Sequence, residues 1–189
     1  MLAIAALFVA TLLGWAAGGS FRLLERLSLN QEWLLLGVLV FQGLARGRML
    51  GASPTERGLV AWLCASGVLV AILATNLRTP GVAVALLGTL TNLAVVGINL
   101  GMPFGARYFG AGAFSASANA VGGGFYRAID PSTLLPWLGD AIPLPLGSSV
   151  LLLSPGDIAL TIGVVGVIVG GMTARVPPIP VRQSKRLHQ

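Results

Sequence analysis

The sequence predicts an all-α membrane protein, a polytopic transmembrane helix bundle of about five spans. Of its 189 residues, 55% are hydrophobic and 10% are charged, whereas an ordinary soluble domain is roughly 25% charged. Five apolar stretches are free of charged side chains and are separated by Arg-, Gly- and Pro-rich connections. A charge at the bilayer centre costs about 3 kcal/mol or more, so this spacing of charges is what membrane crossing requires. The 26 glycines suit close helix approach in lipid.

The chain is predicted to form one transmembrane domain, residues 1–174, followed by a basic tail, residues 175–189. The predicted spans are residues 2–17, 33–45, 58–77, 81–101 and 155–174, with a long Gly- and Pro-rich loop at 102–154. The second span is the shortest. At 1.5 Å per residue it reaches only about 20 Å, so spanning and re-entry both remain open.

Two further segments are predicted to lie at the membrane surface or to re-enter. Residues 21–29 mix Leu with charged residues at helical spacing, as an interfacial amphipathic helix does. Residues 134–153 are apolar but contain Pro136, Asp140, Pro143 and Pro145, which rules out one continuous helix. The sequence therefore predicts a Pro-broken re-entrant or interfacial segment before the last helix.

The last span has a clear start signal. Ser154 offers a hydroxyl at the N-cap, Pro155 follows at the first helical position, and Asp157 supplies a carboxylate at the third, as in a capping box. Gly166 and Gly170 form a GxxxG pair that favours helix packing. The same spacing recurs at Gly14 and Gly18 and at Gly97 and Gly101.

Polar residues near the membrane are the candidates for a substrate path. Asn92 and Asn99 are seven residues apart and so share a helix face, and Thr91 adjoins Asn92. Arg107 follows a Gly- and Pro-bent segment, and Asp140 interrupts the apolar stretch before the last span. Intramembrane Asn commonly joins helices by hydrogen bonds, so packing and substrate contact are both open.

Asp140 and Asp157 are the candidate catalytic pair. Two carboxylates a few ångströms apart can share a proton and activate water, which predicts an intramembrane aspartic hydrolase. The alternative is structural, since Asp157 is already expected to cap a helix and Asp140 can cap a turn. The sequence favours a protein that is not an enzyme.

The formal charge of +6 comes mainly from arginines at segment ends. These predict contact with anionic lipid headgroups rather than nucleic acid, because no basic, aromatic-rich surface accompanies them. The headgroup candidates are Arg22, Arg26, Arg175, Arg182, Lys185 and Arg186. By the positive-inside rule, the basic tail predicts a cytoplasmic C-terminus.

Residues that ligate common cofactors are scarce. The one histidine is His188 and the one cysteine is Cys64, within an apolar run. We therefore expect no haem, chlorophyll or metal held by His or Cys. Bound lipid, quinone or carotenoid remains open, because purely apolar contacts leave no motif. No phosphate-binding Walker loop and no Gly-x-Ser-x-Gly elbow occurs.

Three short motifs, in order along the chain, carry a family resemblance: NLGMP at Asn99–Pro103, LGDAIP at Leu138–Pro143 and SPGD at Ser154–Asp157. With them the chain resembles a family of small, uncharacterised bacterial multi-pass membrane proteins, known only as a domain of unknown function. The resemblance implies a membrane bundle with a re-entrant or interfacial segment before the last helix, and a bacterial inner membrane. It implies no activity.

The functional expectation is a non-catalytic structural, accessory or assembly subunit of a larger membrane complex, in contact with lipids and other membrane-protein subunits. Few cofactor-binding residues and many glycine-containing helix faces favour it. The alternative is a small-solute, lipid or ion transporter that uses Asn92, Asn99, Arg107 and Asp140. The aspartic hydrolase is third.

Overall fold

The computed structural model describes residues 2–25, 27, 29–46, 57–105, 125–146 and 149–174. Six α-helices lie in these ranges: α1 (Leu2–Ala16), α2 (Phe21–Leu24), α3 (Glu32–Arg46), α4 (Arg57–Thr75), α5 (Val82–Asn99) and α6 (Pro155–Thr173). The prediction of an all-α polytopic bundle is confirmed. Long apolar runs without interior prolines form helices because every backbone group is then paired within its own segment.

Three helices among the described residues, α4, α5 and α6, are long and apolar enough to cross a membrane. They have 18 or 19 residues and reach about 27–29 Å, close to the hydrocarbon thickness of about 30 Å. The helices α1 and α3 have 15 residues each and contain shorter apolar stretches. At about 22 Å they fall short of that thickness, so their crossing stays a prediction.

The helices pack in the order α1, α6, α5, α4, α3, with α5 and α6 making the most extensive contact. These two run antiparallel, because Gly88 of α5 meets Gly156 at the start of α6 and Gly81 meets Gly166 farther along it. A Cβ on Gly88 would lie 2.5 Å from the Gly156 carbonyl oxygen. We call the contact line of Gly81, Ala85 and Gly88 with α6 the glycine seam.

The predicted GxxxG pairs differ in whether they contact another part of the bundle. Gly166 and Gly170 pack on the turn before α5, against Gly81 and Pro80. Gly14 packs on the Met172 side chain at the end of α6, whereas a Cβ on Gly97 would meet nothing within 4 Å. Only part of the repeated spacing therefore corresponds to helix contact within this chain.

In the described part of the region between α5 and α6, which the sequence predicts as a loop, there are four short strands: β1 (Met102–Phe104), β2 (Tyr126–Ala128), β3 (Ile142–Leu146) and β4 (Ser149–Leu153). The strands β1 and β2 are parallel, and β3 and β4 form an antiparallel hairpin in which Pro143 pairs with Leu152 and Pro145 with Val150. A short 3-10 helix, Pro136–Leu138, precedes the hairpin. The prolines therefore prevent one continuous helix, as expected, and the segment forms a 3-10 helix followed by a hairpin.

Two apolar clusters hold the bundle together. One joins α3, α4 and α5 around Ile72, and the other joins α4 and α5 to the β1 and β2 strands around Trp62. The Trp62 ring meets Phe125 edge to face, with ring centroids 5.2 Å apart. The strand region is thus attached to the end of the bundle at which α5 ends and α6 begins.

Candidate functional site

Asn92 joins α5 to the first turn of α6. Its Nδ2 donates a hydrogen bond to Asp157 Oδ1 at 2.8 Å, and Ser154 Oγ donates to Asn92 Oδ1 at 2.9 Å. Ser154 is the N-cap of α6, and its Oγ also accepts from the Asp157 backbone N–H at 2.9 Å. Asn92 is buried, so these bonds replace the water that its amide would otherwise require.

The close approach of α5 and α6 makes this network possible. A Cβ on Gly156 would overlap the Asn92 amide, and one on Gly88 would press on the α6 backbone. Only glycine at both positions lets an Asn side chain reach Ser154 and Asp157 from the neighbouring helix. The amide therefore lies at the edge of the glycine seam.

Beside this network is a cavity of about 220 Å³ between α3, α4, α5 and α6. It is lined by Leu39, Gln42, Trp62, Ser66, Leu69, Thr89, Asn92, Asp157 and Leu160. On its far wall Gln42 Nε2 donates to Ser66 Oγ at 2.9 Å, and Thr89 Oγ1 donates to the Ala85 carbonyl at 2.9 Å. We call this cavity the polar chamber.

A second cavity, of about 210 Å³, adjoins it between the same four helices. Its lining is apolar except for Asn76: Leu29, Leu35, Leu39, Leu69, Ile72, Leu73, Asn76, Val82, Ala85, Leu160, Val164, Val167 and Ile168. We call it the apolar chamber. Both chambers are lined by Leu39, Leu69 and Leu160, so they lie side by side. We call the two together the cleft, which is polar near the start of α6 and apolar farther along it.

Asp157 is the charged residue that lines the polar chamber. Among the residues that the structure describes, no Lys, Arg or His lines either chamber. Within the described ranges, no group of three or more His, Cys, Asp and Glu is placed to hold a metal ion. The chamber therefore offers one carboxylate and several neutral hydrogen-bonding groups.

The other predicted substrate-path residues lie elsewhere. Asn99, at the end of α5, fixes the following loop: its Nδ2 donates to the Leu134 carbonyl and its Oδ1 accepts from the Leu134 N–H, both at 2.9 Å. Its carbonyl accepts from Arg127 at 3.0 Å. Arg107 lies outside the described residues.

Asp140 is buried within the strand region. Its backbone N–H donates to the Pro103 carbonyl at 2.8 Å, and its carbonyl accepts from the Gly105 N–H at 3.1 Å. Asp140 does not line the polar chamber, whereas Asp157 does. The two carboxylates of the predicted pair therefore have different surroundings, and their catalytic pairing stays a prediction.

Of the predicted headgroup residues, Arg22 is described and is exposed. It lines a cavity of about 520 Å³ with Trp15 and Phe21, where α1 turns into α2. Arg26, Arg175, Arg182, Lys185 and Arg186 lie outside the described residues. Arg22 and Trp15 are the residue types that favour the membrane interface, so lipid contact there stays a prediction.

Outside the helices, Asp130 closes a small turn. Its Oδ1 accepts from the Ser132 hydroxyl at 2.6 Å and from the Ser132 N–H at 2.8 Å. These bonds favour the ionised form and hold the pKa of the Asp130 carboxyl below its usual value. The Asp130 carboxyl is fully exposed. Its hydrogen bonds order this loop locally.

Sequence reasoning missed Gln42, Trp62, Ser66 and Thr89 as residues of the site. Each is an isolated polar or aromatic residue in an apolar run, on α3, α4 or α5. The sequence signal that could have found them is a polar residue within an apolar helix, because lipid does not favour polar side chains. Nothing in their spacing shows that they meet, because they lie on three different helices.

The fold and the cleft define a class, the polytopic α-helical membrane proteins, with hydrogen-bonding groups inside the bundle. The chain belongs to a family of unknown function, DUF5317, whose family model matches residues 26–169. This confirms the expectation of an uncharacterised family. Neither a curated protein nor a solved structure matches the chain.

Proposed function

We propose that this membrane protein binds a small amphiphilic molecule in the cleft between α3, α4, α5 and α6, as a carrier or transporter of lipid-like solutes does. The observation that carries the proposal is that the polar and apolar chambers lie side by side, with three lining leucines in common. The two volumes, about 220 and 210 Å³, together lie within the range of about 300–1,000 Å³ usual for small-molecule sites.

The number of polar groups supports binding over packing alone. One Asn that bonds across a helix pair is common as a packing contact. Here Gln42, Ser66 and Thr89 face the same space as the Asn92 and Asp157 network, from different helices. Polar groups within membrane helices are costly unless they meet partners, so their convergence on one cavity supports a ligand with a polar head.

The accessory-subunit role, which the sequence favoured first, stays a prediction beside the binding proposal. It is compatible with the cleft, since a subunit can also hold a lipid. The large apolar side chains exposed on α1 and α3, such as Phe8, Trp33 and Phe41, suit lipid and protein neighbours equally. Extraction in mild detergent and separation at native mass tests it: co-migration with other subunits supports it, and migration alone at the mass of this chain contradicts it.

Fluorescence of Trp62 tests the binding proposal directly. The other tryptophans are exposed, at 71% for Trp15, 80% for Trp33 and 55% for Trp137, so replacing them by Phe leaves Trp62 as the one reporter in the chamber. We expect a dodecyl amphiphile brominated near its head group to quench Trp62 in a saturable way. A variant that retains only Trp33 reports non-specific partition into the surrounding detergent or lipid.

Filling the apolar chamber supplies the matched control. Val164 lines that chamber and Ile162, on the same helix, does not, and both are exposed enough to accept a larger side chain. We expect Val164→Phe to weaken the saturable quenching at least fivefold and Ile162→Phe to leave it unchanged. Quenching of Trp33 with none of Trp62, or equal effects of both substitutions, would overturn the proposal.

A further inference from the structure

We infer that the ligand is a single-chain amphiphile with a primary amine head, its ammonium group beside Asp157 and its alkyl chain in the apolar chamber. This inference rests on the proposed binding function and adds the chemical class of the ligand. Three observations support it: the acidic side chain in the chamber, the acceptors on its wall, and the course of the apolar lining.

The charge of the polar chamber is negative. Asp157 Oδ1 accepts one hydrogen bond from Asn92, and an ionised carboxylate can accept about four. The N-terminus of α6 stabilises this negative charge, since Asp157 lies in the first turn. The described lining of the two chambers contains no cationic side chain, so a cationic ligand would supply the opposite charge.

Two side chains of the wall have acceptor capacity for a ligand, the Asp157 carboxylate and the Thr89 hydroxyl. Asn92 Nδ2 and Gln42 Nε2 already donate to Asp157 and Ser66, and the Thr89 hydroxyl already donates to the Ala85 carbonyl. These bonds leave lone pairs on the Asp157 carboxylate and on the Thr89 hydroxyl. An ammonium group has three donors and no acceptor, so it can donate to both of these groups, whereas a carboxylate or phosphate head would place a second negative charge beside Asp157.

The apolar chamber fixes the direction of the ligand's alkyl chain. Along α6 the lining runs from Asp157 through Leu160 and Val164 to Ile168, and along α5 it runs from Asn92 back to Val82. The head therefore lies near the start of α6, and the tail extends toward its end. A volume of about 210 Å³ suits one alkyl chain better than the two chains of a phospholipid.

The test compares three dodecyl compounds, each brominated near the head, on the full-length Trp62 reporter at pH 7: the amine, the alcohol and the carboxylic acid. The amine is charged at this pH because its pKa is near 10. Charge-assisted hydrogen bonds are roughly twice as strong as neutral ones, so we expect the amine to bind about tenfold more tightly than the alcohol, with the acid weakest.

Asp157→Asn keeps the shape of the side chain and an oxygen that accepts from Asn92, while it removes the charge. We expect it to abolish the preference for the amine over the alcohol. Asp130→Asn, at the exposed turn, is the control and should leave the preference intact. Thermal unfolding of each variant, without ligand, checks that it is folded.

The outcomes separate the two proposals. Saturable quenching with no preference for the amine, or with the acid bound most tightly, overturns the amine assignment and leaves the binding function standing. A preference for the amine that survives Asp157→Asn also overturns the assignment. Failure of all three compounds to quench Trp62, with Trp33 still quenched, overturns the binding function itself.

Discussion

The glycine seam and the polar chamber are neighbouring parts of the same helix pair, and they are built in opposite ways. At the seam, Gly88 and Gly156 bring the two backbones together so closely that a methyl group does not fit. One residue farther along α5, Thr89 faces an open cavity. The comparison shows that small residues bring α5 and α6 into contact on one side of this helix pair. On the other side, polar residues line a gap.

The two regions also differ in what holds them. In a bilayer, the free energy of an apolar side chain changes little when it moves from lipid into a helix contact. The seam is therefore stabilised by dispersion between closely packed atoms. The chamber lacks such contacts and depends on a few hydrogen bonds, such as that between Gln42 and Ser66. We therefore expect substitutions that add side-chain volume to affect the seam strongly. Substitutions that remove polar groups should affect the chamber.

The largest effect is expected for Gly88→Ala. The added methyl would meet the backbone of Gly156 and Leu160, which cannot move aside without separating the helices, so we expect a loss of about 3 kcal/mol in the free energy of unfolding. Gly97→Ala on the same helix is the matched control, since its methyl meets nothing within 4 Å. Unfolding of the purified protein in mixed detergent micelles measures both. Equal effects would mean that the seam does not hold the pair together.

A smaller effect is expected where the seam meets the chamber. Asn92→Ala removes the bonds to Asp157 and Ser154 and should lower the free energy of unfolding by about 1–2 kcal/mol. A double-mutant cycle with Asp157→Ala isolates the side-chain pair, with an expected coupling of about 1 kcal/mol. A coupling near zero would show that the two side chains act independently.

The smallest effect is expected in the chamber wall. Thr89 and Thr91 both donate to the carbonyl four residues earlier on α5, but Thr89 is buried and lines the chamber, whereas Thr91 is half-buried and does not line it. Replacing either by Val should leave the protein folded. We expect Thr89→Val to weaken quenching of Trp62 by the brominated amine about threefold, the value of a modest hydrogen bond, and Thr91→Val to leave it unchanged. The reverse order would contradict the chamber as the binding site.

The helices were predictable from the sequence because membrane crossing sets a simple rule of length and charge. The limits of α4, α5 and α6 follow from charged, Gly- and Pro-containing ends, and the Ser154 start of α6 follows from capping chemistry. The strands were not predictable. The pairing of β1 with β2 joins Met102 to Tyr126, far along the chain, and the two prolines of β3 hide its strand character.

The site was predictable in part. Asn92 was singled out as a polar residue within a span, and Asp157 as a helix cap and as the candidate partner of Asp140; the structure joins Asn92 to Asp157 by a hydrogen bond. Asn99, grouped with Asn92 by helical period, instead bonds to the Leu134 backbone. Gln42, Ser66 and Thr89 were missed because their meeting depends on how the helices pack, which no spacing within one segment encodes.

The prolines of the hairpin have a consequence for assembly. A proline has no N–H, so the paired residues Pro143 and Pro145 cannot occupy the positions at which β3 donates to β4. They occupy the alternate positions, where an ordinary residue would turn its N–H outward. Within the described residues β3 pairs with β4 alone, and its other edge lacks N–H donors at these two positions. A further strand would therefore pair poorly along that edge, which is how prolines on edge strands oppose edge-to-edge association.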